Sequence, residues 1–224
     1  MNVGVLFVDT VARPSSGCTG TVHMLTASNN PSSWLEERDW NRVQAAVPIA
    51  CVDVMPFQAA GSQVMRIGLI RRDTPHQGRR WCLIGGRLLR DESLADAVTR
   101  QLTDALGTMV TPFLDPDIQP VHVAQYFTAP REEGSFDPRQ HAIGLIFPVQ
   151  LEGCPEAHGE ALEFRWFELN ALPAAEEVGF GQDRILPRCI EQLDAARRIG
   201  RQFRAHERIN HLAWPRDVSV DAPR

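Results

Sequence analysis

The stretch that decides the fold is Gly86–Gly107, GRLLRDESLADAVTRQLTDALG. Ser93 is a suitable N-cap with Asp96 three residues later, and Gly107 is suited to end a helix. Between these signals, large apolar residues recur every four positions along one face: Leu94, Val98, Leu102 and Leu106. The stretch therefore predicts a glycine turn, a short loop and an amphipathic helix from about Leu94 to Leu106.

Three residues of this stretch, Gly86, Glu92 and Arg100, follow the spacing G-x5-E-x7-R. Gly86 permits a tight turn whose carbonyl groups can face a cation, and Glu92 is close enough to pair with Arg100. At about 100° per residue, helix positions 97, 101, 104 and 105 form one stripe. A carboxylate on that stripe, here Asp104, would point at the turn and create an oxygen-rich site for Mg²⁺. Such an ion neutralises a diphosphate and activates water.

The segment resembles the Nudix box, the signature of the Nudix hydrolase superfamily. Beyond the spaced residues, it shares these features: Trp81, Gly85-Gly86-Arg87, Asp91-Glu92-Ser93-Leu94 and Leu106-Gly107. The resemblance implies the Nudix fold, an α/β/α sandwich with a mixed sheet. It also implies hydrolysis, with Mg²⁺ or Mn²⁺, of a nucleoside diphosphate linked to another moiety. The chain departs from the box at Gln101 and Ala105, which replace two helix glutamates, and at Asp104, which replaces the third.

Within the superfamily, residues 34–172 are most similar to the GDP-mannose mannosyl hydrolases, which also have a reduced set of helix glutamates. That family's essential helix glutamate corresponds to Ala105 in this chain. The resemblance points to a nucleotide sugar as substrate and implies these roles: Asp53 faces the sugar, Arg72 and Arg87 bind the diphosphate, and Arg100 braces the box.

The same resemblance implies a metal site and a general base. The implied metal ligands are the Gly85 carbonyl, Asp104 and Glu160. Glu160 stands where the family has a glutamine ligand, and Ala161 stands where it has its catalytic histidine. The base is therefore missing unless His158 or Glu163 replaces it from the same loop. Plainer interpretations stay open for several positions: an ion pair of structural role for Glu92 with Arg100, a solvated carboxylate for Asp104, and a surface histidine for His158.

The rest of the chain predicts one domain with two additions. Residues 1–31 are predicted to be an N-terminal extension, 32–180 the Nudix domain, and 181–224 a C-terminal helix and tail. Translation could start at Met1 or at Met24. An entry helix is predicted over 34–46. Apolar runs predict these strands: Ile49–Val54, Val64–Ile70, Trp81–Ile84, Val121–Phe127, His141–Leu151 and Phe164–Phe167.

Composition excludes several classes of protein. The apolar runs are far too short to span a bilayer, and a net charge of −5 over 224 residues argues against a nucleic-acid binder. All 23 basic residues are arginine, which excludes Schiff-base and P-loop chemistry. The five scattered cysteines lack a CxxC pair, so we expect no disulfides or zinc site, a cytoplasmic protein, and buried thiols at Cys51 and Cys82.

Two further expectations concern function class and assembly. The two missing helix glutamates support an alternative function, a catalytically impaired Nudix-like module that binds a nucleotide or regulates without cleaving it. The resemblance alone implies a homodimer.

Overall fold

The computed structural model describes residues 35–108, 118–132, 134–151 and 155–198. Several predictions lie outside these residues. They concern the N-terminal extension 1–31, the choice between Met1 and Met24 as the start, and the tail beyond residue 198.

Among the described residues, the centre of the fold is one mixed sheet of eight strands. The strands are β1 (Ile49–Ala60), β2 (Gln63–Thr74), β3 (Gly78–Cys82), β4 (Ile84–Arg87), β5 (His122–Phe127), β6 (Ser135–Phe136), β7 (Ala142–Gln150) and β8 (Glu163–Glu168). The helices are α1 (Glu37–Ala46), α2 (Leu94–Leu106) and α3, which covers described residues 186–198.

The long strand β1 organises the sheet. One of its edges pairs in parallel with β7, which continues to β5 and β6. The other edge is divided: residues 51–54 pair with β4, and residues 57–60 pair with β2, both antiparallel. Strand β2 also pairs with β3 and β8. In this register Asp53 lies opposite Gly85 of β4 and Ile146 of β7, so Gly85 is anchored to the centre of the sheet.

Each face of the sheet carries a hydrophobic core. Val98 and Leu102 of α2 are fully buried on one face with Val52 and Val54 of β1. The opposite core contains residues of β1 and of the C-terminal segment, with partly buried α1 residues packed against it: Met55, Phe57, Leu186, Cys189, Trp40 and Val43. Burial of each large apolar side chain contributes about 1.5–3 kcal/mol. Helices thus cover both faces of a mixed sheet, which confirms the predicted α/β/α architecture.

Local signals predicted α2 well. The helix runs from Leu94 to Leu106, and the Ser93 hydroxyl accepts a 3.1 Å hydrogen bond from the Asp96 N–H. Gly107 ends the helix with φ +76°, a left-handed conformation that favours glycine. By contrast, the prediction of a glycine turn at Gly86 was wrong, because Gly85 and Gly86 both belong to strand β4 and pair with β1.

The cysteines fit the expected role of small buried apolar residues. Cys51, Cys82 and Cys189 are free and buried, and burial raises the pKa of each thiol to about 12. A thiol with so high a pKa is not a nucleophile at neutral pH. The remaining two, Cys18 and Cys154, lie outside the described residues. Within the described ranges, no helix has the length and apolarity needed to cross a membrane.

Candidate functional site

A cavity of about 1300 Å³ lies where β1, β4, the end of α2 and the loop before β8 meet. This volume exceeds that of a typical small-molecule pocket and is sufficient for a nucleotide with a further group attached. Most of the predicted site residues line it: Asp53, Arg72, Gly85, Arg87, Arg100, Asp104, His158 and Glu160. The structure therefore brings together residues that are up to about 100 positions apart in the chain.

The Glu92–Arg100 pair fixes the turn that precedes α2. Arg100 donates from Nε and Nη2 to the two Glu92 carboxylate oxygens at 2.6 and 2.9 Å, and from Nη2 to the Arg87 carbonyl at 3.1 Å. Burial would raise the pKa of Glu92, but hydrogen bonds from Arg100 and the Leu89 N–H outweigh this effect and leave the pKa lowered. Glu92 is not among the cavity-lining residues, so its role is to stabilise the turn and not to contact a ligand in the cavity.

Gln101 fills the space between α2 and strand β4. With its amide oriented to suit its neighbours, the Gln101 oxygen accepts from the Gly86 N–H at 3.1 Å and from Arg100 Nη1 at 3.2 Å. A Cβ at Gly86 would lie 2.9 Å from this amide, so a larger residue there would displace the end of the Gln101 side chain. Gln101 and Ala105 are both buried. The two positions that lack the expected glutamates thus hold a neutral amide and a methyl group.

The loop before β8 docks on the last turn of α2. The His158 N–H donates to the Ala105 carbonyl at 2.7 Å. Gly159 adopts φ +60°, and a Cβ there would lie 2.6 Å from the Asp104 carbonyl. This close packing places His158 and Glu160 along the same cavity wall as Asp104.

Both candidate metal-binding carboxylates have arginine partners. Glu160 Oε2 lies 3.1 Å from Arg72 Nη2, and Asp104 Oδ2 lies 3.8 Å from Arg100 Nη1. The two carboxylate side chains are 83% and 66% exposed, respectively. No cluster of three or more His, Cys, Asp or Glu side chains suited to a metal occurs within the described ranges.

This donor set fits Mg²⁺ in a particular way. Mg²⁺ is usually bound through one or two carboxylates together with substrate phosphates, and it keeps several waters. Asp104, Glu160 and the carbonyl group of Gly85 can supply that number of protein ligands. The residues present therefore suit an ion that is completed by a diphosphate, and they do not form an all-protein cage.

Arginines place positive charges among the acidic residues that line the cavity. Arg72 comes from β2 and Arg87 from β4, and the Arg87 guanidinium lies 4.4 Å from the ring centre of Trp40 on α1. Burial, with a contribution from Arg100, lowers the pKa of Arg87. A guanidinium in this environment gains from an anionic ligand, for which its planar donor fork is well suited.

The buried end of the cavity holds a chain of hydrogen bonds that sequence reasoning missed. The Leu83 N–H donates to Gln182 Oε1 at 2.8 Å, Gln182 Nε2 donates to the Tyr126 hydroxyl at 3.2 Å, and that hydroxyl donates to Asp53 Oδ2 at 3.2 Å. A Cβ at Gly144 would lie 2.7 Å from the same carboxylate oxygen, so the glycine makes room for it.

Burial dominates the electrostatics of Asp53. It raises the pKa of Asp53 to about 6, against the opposing effects of the Tyr126 hydrogen bond and the positive charge of Arg72. The strand alternation of β1 signals this unusual position, because Asp53 shares a face with the core residues Cys51 and Met55. Tyr126 and Gln182 carry no comparable signal in the sequence.

Glu163 is placed differently from the other candidates. It lies on β8, where it pairs with Arg165 at 2.5 Å and with Arg71 at 3.8 Å. It is not among the residues that line the cavity, whereas His158 is. Of the two candidates for the missing base, only His158 therefore lines the cavity.

Solved structures share this architecture. A protein described as a possible asymmetric diadenosine tetraphosphate hydrolase from Jonesia denitrificans is 28% identical, with a TM-score of 0.61 over 66% of this chain and 96% of the other. A MutT/nudix family protein from Enterococcus faecalis is 16% identical, with a TM-score of 0.50 over 71% of this chain and 75% of the other. These similarities show the Nudix hydrolase fold, as the resemblance predicted.

Sequence comparisons add a family without adding an activity. A search of curated proteins found no match to the chain. The family model described as "Domain of unknown function (DUF4916)" matches residues 30–194. This match covers most of the chain, which therefore belongs to the DUF4916 family.

Proposed function

We propose that this protein is a Nudix-type hydrolase that cleaves a nucleoside diphosphate linked to another moiety, with a nucleotide sugar as the preferred substrate class. The supporting observation is the turn held by the bidentate Glu92–Arg100 pair. That turn borders a cavity that has arginines for phosphate groups and two carboxylates, Asp104 and Glu160, for a divalent cation.

Each group has a defined task in this proposal. Arg72 and Arg87 bind and orient the diphosphate through charge-assisted hydrogen bonds. Asp104, Glu160 and the Gly85 carbonyl would hold Mg²⁺ or Mn²⁺, and the ion would supply charge neutralisation and activation of water. Glu92 and Arg100 keep the turn in position, and His158 is the candidate that accepts a proton from the attacking water.

The proposed preference for a sugar substrate rests on Asp53. Its carboxylate is at the buried end of the cavity and keeps acceptor capacity beyond the bond from Tyr126. Sugar hydroxyl groups are suitable donors to such a carboxylate, and a GDP-mannose-like substrate provides several. A buried carboxylate would repel a phosphate group, so the diphosphate is expected beside the arginines instead.

A substrate screen tests the proposal. GDP-mannose, other nucleotide sugars, ADP-ribose and dinucleotides including diadenosine tetraphosphate are incubated with Mg²⁺ or Mn²⁺, and products are analysed. We expect cation-dependent turnover, and the products distinguish attack at phosphorus from attack at the sugar carbon. Asp104→Ala should reduce turnover at least about a hundredfold, because it removes one of two metal carboxylates. Asp73→Ala is the matched control, since Asp73 is exposed and outside the cavity. Undiminished turnover in Asp104→Ala would refute the assignment of this ligand.

A second candidate function is a nucleotide-binding or regulatory module without hydrolysis. It is favoured by the neutral, buried residues Gln101 and Ala105 at the positions of two glutamates. The module predicts binding of nucleoside diphosphate derivatives that is independent of Mg²⁺, with no turnover of any substrate in the screen. The enzyme hypothesis predicts binding that depends on Mg²⁺ and turnover of at least one substrate in the screen.

A further inference from the structure

Arg72 lies between two carboxylates of different character. Its side chain is 20% exposed, and its Nη2 lies 3.1 Å from Glu160 Oε2. Its Nε is buried and has no hydrogen-bond partner within the described part of the chain. Its charge also acts on the buried carboxyl of Asp53. The guanidinium therefore has donor capacity left over and is attracted to the buried end of the cavity as well as to Glu160.

The Glu160 side of this pair is easily separated. The Glu160 side chain is 83% exposed, and within the described ranges Arg72 is its only ion-pair partner. Exposed ion pairs contribute little free energy, because both charges are well solvated when apart. A phosphate group is a stronger partner for a guanidinium, since it accepts two charge-assisted hydrogen bonds in a planar fork.

Arg100 offers an instructive contrast. It too faces a candidate metal carboxylate, Asp104, at 3.8 Å. However, its Nε and Nη2 are committed to Glu92 and to the Arg87 carbonyl. Arg100 therefore cannot turn to a ligand without breaking the turn, whereas Arg72 can change partners at little cost.

We propose that Arg72 exchanges partners during ligand binding: it pairs with Glu160 in the ligand-free protein, and a diphosphate takes its guanidinium and releases Glu160 to hold a divalent cation. This inference rests on the proposed function for the class of ligand. It couples the two ligands, so that the protein binds the cation more tightly when a diphosphate is present.

Binding of the diphosphate and binding of the cation are thermodynamically linked. If a diphosphate raises the affinity for the cation, the cation raises the affinity for the diphosphate by the same factor. Part of that factor comes from direct contact between cation and phosphate. The remainder comes from the release of Glu160 and should depend on Arg72. Removal of Arg72 separates the two parts, because Glu160 is then available without a ligand.

The experiment measures Mn²⁺ binding to the full chain from the electron paramagnetic resonance signal of free Mn²⁺. Titrations are made without ligand and with saturating methylenediphosphonate, a diphosphate analogue that is not hydrolysed, and are corrected by protein-free titrations of Mn²⁺ with the diphosphonate. The wild-type protein should bind Mn²⁺ at least about tenfold more tightly with the diphosphonate. Arg72→Gln should bind Mn²⁺ without ligand about two- to fivefold more tightly than wild type, bind the diphosphonate more weakly, and show a smaller coupling factor.

Two further variants complete the design. Arg71→Gln is the matched control: Arg71 is the neighbouring residue, pairs with Glu163 and does not line the cavity, so its titrations should match wild type. Because Glu160 is exposed, the Glu160→Gln variant is expected to fold even if the Arg72→Gln variant does not. Its coupling factor should fall by about the same two- to fivefold, because direct contact between cation and phosphate remains.

Several results would overturn the exchange. These are equal Mn²⁺ affinity of the wild type with and without diphosphonate, no binding of the diphosphonate, an unchanged ligand-free affinity in Arg72→Gln, or full coupling in Glu160→Gln. Turnover is not measured, so the inference and the proposed function can fail separately. Intact coupling in a protein that hydrolyses nothing contradicts only the function, and turnover without coupling contradicts only the exchange.

Discussion

The two ends of the cavity are built on different principles. At the buried end, Asp53, Tyr126 and Gln182 form a continuous chain of hydrogen bonds within the core. At the open end, Asp104 and Glu160 are exposed, and among the described residues their carboxylates pair with arginines alone. The buried end is preorganised and costs stability, because a carboxylate has been removed from water. The open end costs little and can rearrange, which suits a site that is completed by its ligand.

The turn between these ends should show the largest effect on stability. Arg100→Ala leaves the Glu92 carboxylate, which is 11% exposed, without its bidentate partner. We expect a loss of about 3–5 kcal/mol in the free energy of unfolding, measured by urea denaturation. Arg90→Ala removes an exposed pair with Asp91 and should change stability by less than about 0.5 kcal/mol. Equal effects of the two variants would mean that the turn does not depend on the partly buried Glu92–Arg100 pair.

Because of Asp53, the buried end of the cavity should make the free energy of unfolding depend on pH. The pKa of Asp53 is raised from 3.8 to about 6, so the folded protein binds this proton more tightly than the unfolded chain. The resulting stability is fully present below pH 3.8 and is lost as pH rises through about 6. Asp53→Asn should therefore match wild type near pH 4 and exceed it by up to about 3 kcal/mol at pH 8.

Denaturation in EDTA across pH 4–8 measures this difference. Asp73→Asn is the control, because Asp73 is exposed and pairs with Arg79 at the surface. A constant difference between Asp53→Asn and wild type across this range would show that Asp53 stays ionised and is better solvated than its burial indicates.

A smaller effect is expected for Tyr126→Phe. This variant removes the hydroxyl that donates to Asp53 and accepts from Gln182, so two buried polar groups lose a partner. The expected cost is about 1–2 kcal/mol at neutral pH. It should also raise the apparent pKa of Asp53, because the lost hydrogen bond favoured the ionised form. No change in either quantity would argue that the chain of hydrogen bonds does not hold this carboxylate.

The smallest effect on stability belongs to the open end. Glu160→Gln removes only an exposed ion pair and should alter the free energy of unfolding by less than about 0.5 kcal/mol. Thermal melts without metal measure this quantity. A loss above about 1 kcal/mol would show that Glu160 is a structural element of the fold, and the contrast between the two ends would then disappear.

The sequence predicts what local chemistry determines. Helix α2 was predicted from Leu94 to Leu106, because its cap, its apolar periodicity and its terminal glycine lie within or beside it. The strand at Gly85-Gly86 was not predicted, since its pairing with β1 depends on residues more than 30 positions away. Tyr126 and Gln182 are 56 positions apart, and no pattern in either segment indicates that they meet.

The candidate site divides in the same way. Glu92 with Arg100 could be predicted from spacing alone, because both belong to one turn and helix. The pairing of Arg72 with Glu160 joins β2 to the loop before β8, and only the fold brings these residues together. Glu163 was one of two alternatives for the base because of its position near that loop, and its pairing with Arg71 and Arg165 likewise depends on the fold.

The most direct test of the central claim is anomalous diffraction from crystals grown with Mn²⁺ and a methylene-bridged nucleoside diphosphate sugar. The proposed function predicts an Mn²⁺ peak within coordination distance of Asp104, Glu160 and the diphosphate. It also predicts that the Arg72 guanidinium donates a hydrogen bond to a phosphate oxygen. A bound nucleotide without a metal peak at these carboxylates, or a metal bound elsewhere, would contradict it.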